Sequence, residues 1–206
     1  MGTQRGRPAN LDAAQAGEVA LQQIWAGGYD QFTIDGLCRV LGVRAPSLYH
    51  RFGSKAELCK AAVELYNQRN GEQVGAILAV DFEDPIALAR AFLTATAATF
   101  SADKNRQGCM LLDGVRPSKD PAVRPLVDAE IARTNRQLKG LLRQSGFPHA
   151  KAGADYLMAA LIGLSGLAKS GVSCAALRKT AMAMTEGLRA LGDPAKRASA
   201  GVGKSK

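Results

Sequence analysis

Between Leu11 and Trp25 the apolar residues Leu11, Ala14, Val19, Leu21, Ile24 and Trp25 recur at mixed spacings of three and four, and Gly27-Gly28 follows. That period predicts an amphipathic helix closed by the glycine pair. Thr33 can cap a second helix, because its hydroxyl can accept from a free N–H of the first turn, while Asp35 suits the positive helix end. This helix is short and ends by Gly42. Pro46 is tolerable only near a helix start, where its missing N–H costs nothing, so a third short helix begins at about Ala45 and breaks at Gly53. Ser54 and Glu57 then form an S-x-x-E capping box that opens a longer helix from Lys55 to about Leu78. The same tests predict helices from Pro85 to Phe100, Gln107 to Gly114, Ala122 to Ser145, Ala152 to Lys169 and Cys174 to Leu191, with Gly and Pro at the joints. Strand-like alternation and fixed-period repeats are absent, so the expected fold is all-α with about nine helices.

Composition supports this class. Of 206 residues, 47% are apolar but only 5% aromatic, a balance that favours closely packed helices over a β-sandwich. The net charge of +9, from 27 basic against 18 acidic residues, fits either a polyanionic partner or plain solubility. Part of the excess lies in Lys196, Arg197, Lys204 and Lys206, within a Gly-containing tail expected to be disordered. Arg5 and Arg7 lead no apolar run that could form a signal-peptide core, and no segment reaches the roughly 18 apolar residues of a membrane span. A soluble, cytoplasmic chain without a membrane partner is expected. Cys38, Cys59, Cys109 and Cys174 lie far apart without CxxC pairing, which indicates neither disulfides nor a metal site.

Two short helices joined through Gly42, the second carrying Ser47, Tyr49, His50 and Arg51, fit a helix-turn-helix whose second helix enters the DNA major groove. Hydroxyls, a phenol and guanidinium groups can all donate to phosphate oxygens. Arg44 at the helix start could form a bidentate fork with G O6 and N7. The bland readings are a half-buried core role for Tyr49 and a solvated role for Lys55. A cation in the first turn of a helix is poorly placed on dipole grounds, and an external phosphate would explain Lys55. Trp25 and Phe32 read as core, Cys38 and Cys59 as small buried hydrophobes. Arg133, Arg136, Lys139 and Arg143 read as a solvated helix face.

The run Phe32-Thr33-Ile34, Leu41-Gly42-Val43 and Ser47-Leu48-Tyr49-His50-Arg51-Phe52-Gly53-Ser54-Lys55-Ala56-Glu57-Leu58 resembles the DNA-binding domain of the TetR family, and Arg5-Gly6-Arg7-Pro8 is similar to that family's basic arm. The resemblance implies that Thr33, Ser47, Tyr49, Arg51 and Lys55 contact the DNA backbone, while Arg44, Ala45, Pro46 and His50 face base edges. It also implies an all-helical C-terminal domain for ligand binding and dimerisation. Gly36, Leu37 and Cys38 depart from the more regular stretch of many members, and Gly in so short a helix costs about 1 kcal/mol relative to Ala. Gly108-Cys109-Met110-Leu111-Leu112 resembles a Gly-Cys-Leu-Leu element near the ligand pocket in one subset of the family, some of whose members answer to electrophiles or oxidants.

The expected organisation is a basic arm (1–10), a helix-turn-helix domain (11–54), a connecting helix (55–78), an effector-binding and dimerisation domain (79–192) and a basic tail (193–206). Helical bundles form pockets between facing helices. The candidate effector-lining residues are Phe92, Thr96, Phe100, Cys109, Met110, Ile131, Asn135, Leu138 and Tyr156. The last two helices, with small residues such as Ala159, Gly163, Gly166 and Gly187, are the expected dimer interface. The function this favours is a ligand-responsive homodimeric repressor on a palindromic double-stranded operator, with no cofactor. An effector-independent accessory or nucleoid-associated protein is the alternative. An enzyme is disfavoured: G-x-S-x-G, H-E-x-x-H and Walker sequences are missing, and the two histidines stand far apart.

Overall fold

The computed structural model describes residues 11–104 and 107–193; the basic arm at 1–10 and the tail beyond 193 lie outside the described residues. Within them every element is helical: α1 (Ala13–Gly27), α2 (Ile34–Leu41), α3 (Ala45–Phe52), α4 (Lys55–Leu78), α5 (Pro85–Phe100), a π-helix (Met110–Val115), α6 (Arg124–Gln144), α7 (Ala150–Lys169) and α8 (Cys174–Gly192).

Local chemistry explains most of the boundaries. Asp12 caps α1, its carboxylate accepting from Ala14 N at 2.9 Å, which moves the start two residues past Leu11. Thr33 caps α2 by accepting from Gly36 N at 3.1 Å. A Cβ on residue 36 would sit 3.0 Å from that Thr33 oxygen, so the departure at Gly36 leaves space for the cap. Gly42 ends α2 in the left-handed region at φ 66°, where a side chain would be strained. Ser54 caps α4 through Glu57 N. Helix α6 begins at Arg124 rather than Ala122, because the Asp120 carboxylate takes Ala122 N into a preceding turn. Helix α7 starts two residues earlier than the pattern predicts, at Ala150, without a side-chain cap.

One continuous core runs from Ala16 of α1 to Leu188 of α8. Helix α1 packs chiefly on α4, and α5, α7 and α8 pack on one another, α5 having its most extensive contact on α8. The segment predicted as a short helix from Gln107 to Gly114 forms the π-helix instead. Its entry is pinned from α7: Cys109 N donates to Ser165 Oγ at 2.7 Å and to Asp113 Oδ2 at 3.0 Å, and the Ser165 hydroxyl donates to that carboxylate at 2.6 Å. No helix among the described residues is long and apolar enough to cross a membrane.

Candidate nucleic-acid interface and internal cavity

Helix α3 buries only Leu48, which is 1% exposed. Arg44, Pro46, Ser47, Tyr49, His50 and Arg51 are all exposed, and Ala45 is half-buried. Tyr49 is 48% exposed, so the core reading of this aromatic does not hold. Thr33 is exposed too; its oxygen caps α2 while its hydroxyl proton remains able to donate outward. Val40, 61% exposed at the end of α2, and the exposed Arg39 before it were not singled out by sequence reasoning, which had no means of telling which side of so short a helix faces solvent.

Lys55 sits differently from its sequence-based expectation. Its ammonium lies 4.3 Å from the centroid of the Tyr29 ring and 5.8 Å from that of Phe32. Those ring faces give the cation an internal partner at the helix N-terminus, so no external phosphate is needed to explain its position.

Tyr29 also joins the helix-turn-helix to the rest of the chain. Its N–H donates to Gly114 O at 2.8 Å and its hydroxyl to Asp120 Oδ2 at 2.9 Å. Beside it the Ser118 hydroxyl donates to Asp30 at 2.5 Å, and Lys169 Nζ donates to Trp25 O at 2.9 Å. A Cβ at residue 114 would meet Ile24 O at 2.8 Å, so glycine permits this close approach. Burial first, and the Asp120 carboxylate second, hold the Tyr29 hydroxyl protonated far above its ordinary range. The Asp120 carboxyl is held below the usual range by Ala122 N–H first and by the Tyr29 hydroxyl second.

Behind this junction lies a largely apolar cavity of about 100 Å³. Helix α4 contributes Tyr66, Asn67, Asn70, Gly71 and Val74, and α5 contributes Thr99 and Phe100. Cys109 and the π-helical Leu111 and Leu112 form one wall. Helix α6 adds Val127, Glu130, Ile131 and Thr134, and α7 adds Met158 and Leu161. Of the residues expected from sequence, Phe100, Cys109 and Ile131 line it. Phe92, Thr96, Met110 and Leu138 are 0% exposed and turned into the core; the Thr96 hydroxyl donates to Phe92 O. Asn135 donates to Asp155, and Tyr156 to Met184 O on α8, so both are committed elsewhere. Which face of each helix meets the cavity depends on neighbours the sequence does not reveal.

Trp25 packs edge-on against Tyr66 with ring centroids 5.1 Å apart. The Tyr66 hydroxyl donates to Cys109 Sγ at 3.3 Å. Burial pushes the Cys109 thiol up, the Tyr66 hydroxyl and the N–H groups of Leu111 and Leu112 pulling the other way. Cys59, also buried, is pushed up to about 12, mainly by desolvation, with Lys55 opposing. The small residues of α7 and α8 divide as well: Ala160, Leu164, Leu177, Ala181 and Leu188 are buried within the chain, and Gly187 makes room for the Tyr156 hydroxyl. Ala159, Gly166, Leu167, Met182 and Ala183 are exposed.

Residues 18–62 match the family model described as bacterial regulatory proteins, tetR family. The chain is 26% identical over 186 residues to the HTH-type transcriptional repressor BdcR of Escherichia coli K12, covering 90% of this chain and 93% of that protein. It is similar in structure to a cysteine-substituted form of the TetR family transcriptional regulator CifR complexed with 26-base-pair operator DNA: TM-score 0.76, 27% identity, covering 89% of this chain and 99% of that one. A TetR-family regulator from Streptomyces coelicolor, 21% identical and covering 88% of this chain and 91% of its own, shares the fold with a TM-score of 0.75.

Proposed function

Because the chain belongs to the TetR family of bacterial regulatory proteins, we propose that it is a DNA-binding transcriptional repressor, acting as a homodimer whose grip on a palindromic operator is released by a small molecule. The observation that carries this reading is α3, a helix that buries Leu48, packs Ala45 and Phe52 partly on the core, and leaves Pro46, Ser47, Tyr49, His50 and Arg51 exposed to touch another molecule. Residues 11–54 are the reading head; Arg44, Ala45, Pro46 and His50 face base edges, and Thr33, Ser47, Tyr49 and Arg51 hold the backbone. Lys55 supports this surface by its charge while resting on Tyr29. The remaining helices carry effector binding and dimerisation, and no turnover is assigned to the chain.

Exposed apolar side chains support pairing through α7 and α8, since Leu167 is 36% and Met182 45% exposed on these helices. Two helices from each subunit form a four-helix contact, which sets the two copies of α3 about one helical turn or slightly more apart. The effector acts by binding one separation of the heads better than the other. The contacts of Tyr29 and Asp30 with Gly114, Ser118 and Asp120 give a physical route, because the same π-helix that holds the head also walls the cavity.

Selection of bound duplexes from a random pool tests the reading. A near-palindrome bound by two chains is expected, with Arg44→Ala relaxing base preference. Enrichment without symmetry, or bound by one chain, overturns it in favour of an accessory nucleic-acid-binding role.

A further inference from the structure

The cavity's charge, its size and one buried hydroxyl narrow what it can hold. No Lys, Arg or His is among its lining residues, and its single acidic side chain, Glu130, is already engaged by the Arg133 guanidinium through both carboxylate oxygens. An anion entering would lose its water, find no counter-charge, and lie near a carboxylate, so its desolvation would go uncompensated. A cation would have to compete with Arg133. The volume of about 100 Å³ is of the order of a single small ring, since apolar cavities of roughly 150 Å³ take up benzene.

Asn67, Asn70, Thr99 and Thr134 on the lining are half-buried, and Tyr66 carries the buried hydroxyl that supplies the polar handle. This tyrosine is 5% exposed, and its hydroxyl proton goes to the Cys109 sulfur at 3.3 Å. Sulfur is a weak acceptor, so an oxygen presented at the same place makes the better bond. Resting on the reading of this cavity as the effector site, we infer that its ligand is a compact, uncharged, mainly apolar molecule whose one oxygen acceptor, a carbonyl, ether or hydroxyl, takes the Tyr66 proton from Cys109. Val74, Phe100, Leu112, Ile131 and Leu161 close around its hydrocarbon part.

A matched pair of probes tests this on the full chain: cyclohexanone, neutral with one acceptor, and cyclohexanecarboxylate, the same ring bearing a charge. Isothermal calorimetry and the melting temperature report binding; fluorescence anisotropy with the selected operator reports release. Cyclohexanone should bind at least tenfold more tightly than the carboxylate. Tyr66→Phe should weaken the ketone about tenfold, and Ile131→Trp, which fills the cavity, should abolish its binding. Thr134→Trp serves the same purpose if the first variant fails to fold by circular dichroism. Equal affinity for the two probes, no binding of either, or ketone binding indifferent to Tyr66→Phe overturns the ligand class. Ketone binding as expected without any change in operator affinity upholds the ligand class and overturns the effector reading, so the two fail separately.

Discussion

Helix α3 and helix α5 both open with a proline in the first turn, yet they spend their surfaces in opposite ways. Helix α3 buries Leu48 and turns Ser47, Tyr49, His50 and Arg51 to solvent, whereas α5 buries eight residues from Ile86 to Phe100 and even turns Thr96 inward. A helix as short as α3 cannot be stable alone and depends on its anchor and its neighbours. The difference teaches that exposed surface on a short helix costs local stability, while the cavity arises where tight packing is interrupted.

The sharpest way to break the contrast is to remove the anchor. Leu48→Ala, at a fully buried leucine, should destabilise the head by about 2 to 5 kcal/mol and abolish operator binding, as read by denaturant unfolding and anisotropy. Tyr49→Ala touches the exposed side of the same helix. It should leave unfolding unchanged while weakening all DNA sequences alike, by roughly tenfold, as expected for a lost phosphate contact of about 1.4 kcal/mol.

Tyr29→Phe tests the joint between the two regions and should cost about 1 kcal/mol of stability, seen by thermal melting. Its pH dependence has a definite sign. Asp120 has a lowered folded-state pKa, so its contribution is fully present above the ordinary carboxylate value of about 4 and is lost as pH falls through the lowered value. The difference between wild type and Asp120→Asn should therefore shrink below that pH. Chemical labelling gives the smallest effect. Cys174 is exposed and Cys109 buried with a raised pKa, so iodoacetamide at neutral pH should modify Cys174 well before Cys109, as peptide mass spectrometry can follow. Early modification of Cys109 would instead favour electrophile sensing at the Gly-Cys-Met-Leu-Leu segment.

Much of α1 to α4 was legible because its signals are local. Thr33, Gly42, Pro46 and Ser54 each act within a few residues, and each stands where the helix ends require it. The cavity was less legible, because Phe92, Leu138 and Phe100 are all apolar residues on helices and only packing separates the two core members from the one at the wall. The seat of Lys55 was illegible for the same reason: Tyr29 lies 26 positions earlier in the chain, and nothing local announces that its ring would receive the ammonium. The π-helix is likewise set by Ser165, a partner 56 positions from Cys109.

That π-helix gives the chain a tolerance that an ordinary turn would lack. Its hydrogen bonds span one residue more than those of an α-helix, as in Arg116 N to Leu111 O. Loss of a single residue between Leu111 and Gly114 can thus be absorbed by tightening to an α-turn, without rethreading α6. Descendants with such a deletion would keep the fold but carry Gly114 on a rotated face, away from Tyr29. Over generations this makes the segment a place where the joint to Tyr29 can be retuned by changing chain length, while the exposed face of α3 stays as it is.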